Sequence, residues 1–138
     1  MLGRAPKRHD RDMPRVFVLV SSFKPEAARR AVLASPLEID VAVISPSEEA
    51  RETAGYAVDG RWLRTVEEPL LASRGFAESG ADVLARLAQA MRGLDAYDAR
   101  ASLVVLDGLD VLGADVFTLD EEGLLRWADN LERLLPAP

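Results

Sequence analysis

Val16-Phe17-Val18-Leu19-Val20 is an apolar run with no polar residue at alternate positions, bounded by Arg15 and Ser21. A strand with one wet face alternates in character. An unbroken run suits a strand covered on both faces, as in the middle of a parallel sheet. Two further segments share this property: 39–45, with Val41, Val43 and Ile44, and 102–106, which is equally dense.

Helical patterns separate these runs. Pro25 fits the first turn of a helix, where its missing N–H costs nothing. That helix spans 26–34, with Ala27, Ala28, Ala31 and Val32 turned inward, and ends at Pro36. Ser45-Pro46-Ser47-Glu48 reads as a second start: Ser45 as cap, Pro46 at the first position and Glu48 three residues after the cap. The helix continues to about Val58 and stops at Asp59-Gly60. A short strand over 62–66 and a loop over 67–77 follow. Ser79-x-x-Asp82 opens the next helix, whose stripe is Val83, Leu84, Leu87, Ala88 and Met91, with Gly93 closing it. The last helix, 120–135, repeats the spacing with Leu124, Ala128, Leu131 and Leu135. The alternation of strand and helix predicts an α/β fold, a three-layer α/β/α sandwich with a largely parallel central sheet.

At 138 residues, 49% hydrophobic and 29% charged, the chain suits one soluble globular domain. No apolar run approaches the roughly 20 residues of a membrane span, and the start lacks a signal-peptide pattern. A cytoplasmic location without membrane association is expected. Residues 1–12 hold Arg4, Lys7, Arg8 and Arg11 against Asp10 and Asp12, a net of +2. Of a total of −6, the remainder therefore carries −8. Residues 1–13 read as a disordered basic tail ahead of a single domain over 14–138. An acidic body repels polyphosphates, which argues against nucleic-acid binding. The chain has no cysteine, and its one histidine, His9, lies in the tail. Thiolate and imidazole chemistry are thus excluded from the domain.

In a parallel sheet the ligand crevice lies at the C-terminal strand ends. The residues expected there are Ser21, Ser22, Phe23 and Lys24, then Ser45 to Glu49, then Glu67 and Glu68, then Asp107 and Gly108. No P-loop, dinucleotide glycine fingerprint or G-x-S-x-G elbow occurs. Ser22 has no histidine base. Lys24 is a candidate activator, but the plain reading is a loop serine beside a solvated lysine. Glu49 and Asp107 can form an acid–base pair or a divalent-cation site if they converge. The simpler roles are a first-turn helix residue and a turn residue before Gly108. Trp62 and Trp127 read as core or partner-facing. The amphipathic last helix offers a surface for a homodimer.

Three stretches, taken in order, resemble the histidine phosphatase superfamily, which includes phosphoglycerate mutases. Asp40-Val41-Ala42-Val43-Ile44-Ser45-Pro46 with Ala50-Arg51-Glu52-Thr53-Ala54 is similar to the family's strand-Ser-Pro segment and the helix that follows it. Glu78-Ser79 through Leu87 is similar to its Glu-Ser helix. Leu103-Val104-Val105-Leu106-Asp107-Gly108 takes the place of a late strand ending in His-Gly. The match runs from Val16 to about Leu112 and implies a phosphoglycerate mutase-like fold.

The departures fall at the chemistry. Where the resemblance implies Arg-His-Gly, with the phosphoryl-accepting histidine, the chain has Ser21, Ser22 and Phe23. Glu49 stands where the family has its second arginine, and Asp107 where it has its second histidine. The proton-donating acid corresponds to Glu67 or Glu68. The reading is therefore a catalytically inactive member, without cofactor or metal, retained to bind a small molecule or a protein partner. Its expected ligand-binding residues are Ser21, Ser22, Lys24, Ser45, Glu49, Glu67, Glu68 and Asp107. The alternatives are an enzyme using the crevice carboxylates, with or without a divalent cation, and a weak hydrolase of a phosphorylated small molecule.

Overall fold

The computed structural model describes residues 15–72, 78–94, 97, 99–107 and 116–133. The proposed tail, Gly108 and Leu135 lie outside these residues. Five strands form one sheet: β1 (Val16–Ser21), β2 (Val41–Ile44), β3 (Arg64–Glu67), β4 (Ala101–Leu106) and β5 (Val116–Asp120). Their spatial order is β3-β2-β4-β1-β5. The three apolar runs of the sequence are thus the three central strands, and β2, β4 and β1 are parallel. β3 is parallel to β2, whereas β5 closes the other edge antiparallel to β1.

Four helices cover the sheet: α1 (Pro25–Ala34), α2 (Glu48–Ala57), α3 (Gly80–Leu94) and α4 (Glu121–Arg133). Because successive strand side chains point to opposite faces, each central strand feeds two cores. Phe17, Leu19, Val104 and Leu106 meet Leu87, Met91, Leu124 and Ala128 of α3 and α4. Val18, Val20, Leu103 and Val105 meet Ala28 of α1 and Ala50, Ala54 and Ala57 of α2. Small residues on the inner stripe let α2 lie close to the sheet, and this sets where its N-terminus falls.

Local signals explain most boundaries. Ser79 and Asp82 cap α3 reciprocally: the Asp82 N–H donates to Ser79 Oγ at 3.1 Å and the Ser79 N–H to Asp82 Oδ2 at 3.0 Å. Gly93 does not close this helix, which continues to Leu94. Asp59 and Gly60 end α2 with positive φ values of 57° and 73°, a backbone state that glycine and aspartate tolerate best. The expected strand at 62–66 is shifted to Arg64–Glu67, leaving Trp62 87% exposed and outside the core. Trp127 instead packs on Phe117 with ring centroids 4.4 Å apart. The apolar stripe of α4, Leu124, Ala128 and Leu131, is buried within the domain. Arg92 of α3 ties the outer surfaces of α3 and α4 by pairing with Glu132 and Asp129, which hold its guanidinium above its ordinary pKa. Among the described residues no helix is long and apolar enough to cross a membrane.

One buried group is out of place. Ser102 lies on β4, paired in register with Phe17 and Val41, and shares the face of Val104 and Leu106. It is 1% exposed, and its hydroxyl has no hydrogen-bond partner among the described residues. An unsatisfied buried hydroxyl costs about 1–3 kcal/mol in desolvation. Ser102→Ala should therefore raise the unfolding free energy by about 1 kcal/mol in urea titrations. A loss of similar size would mean that the hydroxyl has an acceptor.

Candidate functional site

Parallel register brings three strand ends to one level. Ser21 pairs with Leu106, and Ile44 with Val105. The ladder extends one step beyond each strand: the Ser22 N–H donates to Leu106 O at 3.0 Å, and the Ser45 N–H to Val105 O at 2.8 Å. Asp107, the residue after β4, is thereby held between the residues that follow β1 and β2.

Its carboxylate is the centre of the site. Ser22 Oγ donates to Oδ1 at 2.6 Å, Ser47 Oγ donates to the same oxygen at 2.9 Å, and Ser45 Oγ donates to Oδ2 at 2.8 Å. Asp107 is 7% exposed, Ser22 2% and Ser45 0%. This is a buried anion ringed by hydroxyls, the satisfied arrangement that burial of charge requires. Two further contacts fix the ring. Thr53 Oγ1 of α2 donates to the carbonyl of Ser22 at 2.5 Å. The Asp107 N–H donates to Leu71 O at 3.1 Å.

Ser47 does double duty. Its hydroxyl accepts the Ala50 N–H at 3.1 Å, capping α2, while donating its own proton to Asp107. The cap is therefore Ser47 and not Ser45, a correction to the sequence reading. Ser45 is drawn off because it ends the β2 ladder and points its hydroxyl at Asp107. Ser21 Oγ accepts the Phe23 N–H at 3.2 Å, and Ser21 O accepts the Lys24 N–H at 3.2 Å, closing the turn into α1. The Lys24 side chain is exposed, and the residue precedes Pro25 as the first residue flanking α1.

The acids of the third strand end do not join this centre. Glu67 pairs with Arg51 of α2 at 3.1 Å in an exposed ion pair. Glu68 turns back to accept the Leu70 N–H at 3.0 Å, capping the short 3-10 turn Pro69–Leu71. That turn is held from α3: the Arg86 guanidinium donates to Leu70 O at 2.8 Å and Ala72 O at 2.7 Å, and is bound by both carboxylate oxygens of Glu78 at 2.8 Å. Leu71 O, on the same turn, is the acceptor for Asp107. Glu49 lies at the exposed start of α2, beside Ser22, in an open cleft also lined by Phe23, Pro25, Glu52, Thr53 and Tyr56. Glu49 lines this cleft, whereas the Asp107 carboxylate accepts from Ser22, Ser45 and Ser47. Among the described residues no group of three or more His, Cys, Asp or Glu is placed to hold a metal ion.

Ser47, expected at the crevice only as part of the stretch from Ser45 to Glu49, and Thr53, not expected there, both bond within the site. Ser47 was legible as the second serine of Ser45-Pro46-Ser47. Thr53 was legible as the polar member of the inner stripe of α2, at helical spacing with Ala50, Ala54 and Ala57.

No protein-family model matches the chain, and no curated protein matches it. Among solved structures, the crystal structure of phosphoglycerate mutase from Plasmodium falciparum matches over 80% of this chain and 86% of that one, with a TM-score of 0.52 and 14% identity. The fold is similar to that of phosphoglycerate mutase. At this identity the likeness is one of architecture, and it gives no chemistry to the crevice.

If Asp107 organises the crevice, removing its carboxylate leaves two buried hydroxyls and one half-buried hydroxyl without this acceptor. Asp107→Ala should cost about 2–4 kcal/mol in unfolding free energy. Asp107→Asn, which keeps one acceptor oxygen, should cost less. Urea titration checks both, and an alanine variant within about 0.5 kcal/mol of the parent would contradict the arrangement.

Proposed function

We propose that this chain is a histidine phosphatase-like fold without phosphoryl-transfer chemistry, serving as a binding or interaction module. The observation that carries the reading is the 2.6 Å hydrogen bond between Ser22 and Asp107. On the resemblance, these positions answer to the two histidines that would flank a phosphoryl group. A phosphoryl site needs space between such groups and donors aimed into that space. Here the two groups bond to each other, and the protons of Ser22, Ser45 and Ser47 all point at a carboxylate. An anion entering would have to displace those bonds and face Asp107 at close range.

Nucleophilic catalysis by Ser22 is no better supported. A carboxylate is a far weaker base than an alkoxide, so Asp107 orients the hydroxyl without activating it. The carboxylate-enzyme alternative is less well supported, since Asp107 accepts from three serines, Glu67 is engaged with Arg51 and Glu68 with its own turn.

The full chain, incubated with p-nitrophenyl phosphate or a three-carbon phosphomonoester at neutral pH, should release no phosphate above a buffer blank, with or without magnesium. Ser22→Ala should behave identically. Saturable hydrolysis that disappears in Ser22→Ala would overturn the reading.

A further inference from the structure

The outer face of α2 is unusual for an exposed helix. Glu49, Glu52 and Tyr56 follow one another at the spacing of a single exposed stripe, and with the buried Thr53 they line a cleft that is also lined by Ser22, Phe23 and Pro25. Its volume is about 460 Å³. Phe23 is 57% exposed and Tyr56 43%, so two aromatic rings stand open to solvent within one concavity. Neither Glu49 nor Glu52 has a hydrogen-bond or ion-pair partner among the described residues. Aromatic faces and free carboxylates are both complementary to a cation. Together with a planar shape they favour guanidinium, which stacks on rings and bonds carboxylates with a fork of donors. Tyr56 already receives such a group: the guanidinium of Arg29, held by Asp59 at 3.4 Å, lies 5.0 Å from the centre of its ring.

We propose that this cleft binds a guanidinium group, with Glu49 and Glu52 accepting its N–H groups and Phe23 and Tyr56 flanking its plane. The inference rests on the reading of the crevice as a site that does not hold phosphate. It names the chemistry of the ligand and leaves two sources, an arginine side chain of a protein segment and a small guanidine.

The test is a titration of the full chain followed by backbone amide shifts in two-dimensional NMR. N-acetyl-arginine amide presents the group as a peptide would, and agmatine presents it as a small molecule. At least one should give saturable shifts at Phe23, Glu49, Glu52, Thr53 and Tyr56, and the tighter of the two identifies the source. N-acetyl-glutamate amide should give none. Glu49→Gln with Glu52→Gln, both at exposed positions that leave the fold intact, should weaken binding by about fivefold or more. The proposal is overturned if neither probe shifts these amides saturably, or if the double variant binds as tightly as the parent. Inorganic phosphate separates the two readings. Saturable shifts at Ser21 and Ser22 on adding phosphate would overturn the non-phosphate reading itself, whereas silence towards phosphate and both guanidines would overturn only the present inference.

Discussion

The carboxylate of Asp107 is reached by hydroxyls from three separate parts of the chain: the residue after β1, the residue after β2 and the cap of α2. A buried carboxylate must be fully hydrogen-bonded to be tolerated, so these three segments have to end at the same level. The parallel register of β1, β4 and β2 supplies that level. The alanine stripe of α2 supplies the close approach that lets Ser47 reach across. The turn Pro69–Leu71, clamped by Arg86 and Glu78, then pins the Asp107 backbone from the other side. Fold and site are in this sense one arrangement.

That arrangement gives the crevice an unusual polarity. Three of its hydroxyls give their protons to a negative group of the protein. The cleft alongside is lined by the exposed acids Glu49 and Glu52 and the rings of Phe23 and Tyr56. A pocket built for an oxyanion presents N–H groups and positive charge to the ligand. Here the nearest donors are instead directed at Asp107.

The central strands were legible because an uninterrupted apolar run has few alternatives once helices flank it. The meeting of Ser21, Ser22, Ser45 and Asp107 was legible because parallel strands place their last residues on one edge. What was not legible had local physical causes. β5, Val116–Asp120, is a half-buried edge strand, and its weak contrast hid it beside the stronger helical signal of α4. Glu67 and Glu68 look alike in sequence, but an ion pair with Arg51 claims one and a capping bond claims the other. In the Ser45-Pro46-Ser47 segment Ser45 reads as the cap of α2, but its hydroxyl donates to Asp107 and Ser47 accepts the Ala50 N–H instead. The cleft face of α2 follows an ordinary helical spacing filled with acids and an aromatic residue, which reads as a solvated surface until the turn bearing Phe23 is placed opposite.

The central proposal, that hydroxyls bound to Asp107 occupy the place which the family resemblance assigns to an oxyanion, is tested most directly by a crystal structure determined after soaking with tungstate at high concentration. Tungstate mimics phosphate and is unmistakable by its anomalous scattering. The account predicts no tungstate between the ends of β1 and β4, with Ser22 Oγ still within hydrogen-bonding distance of Asp107. Tungstate in direct contact with Ser21 and Ser22, with Asp107 swung away from its serines, would contradict it.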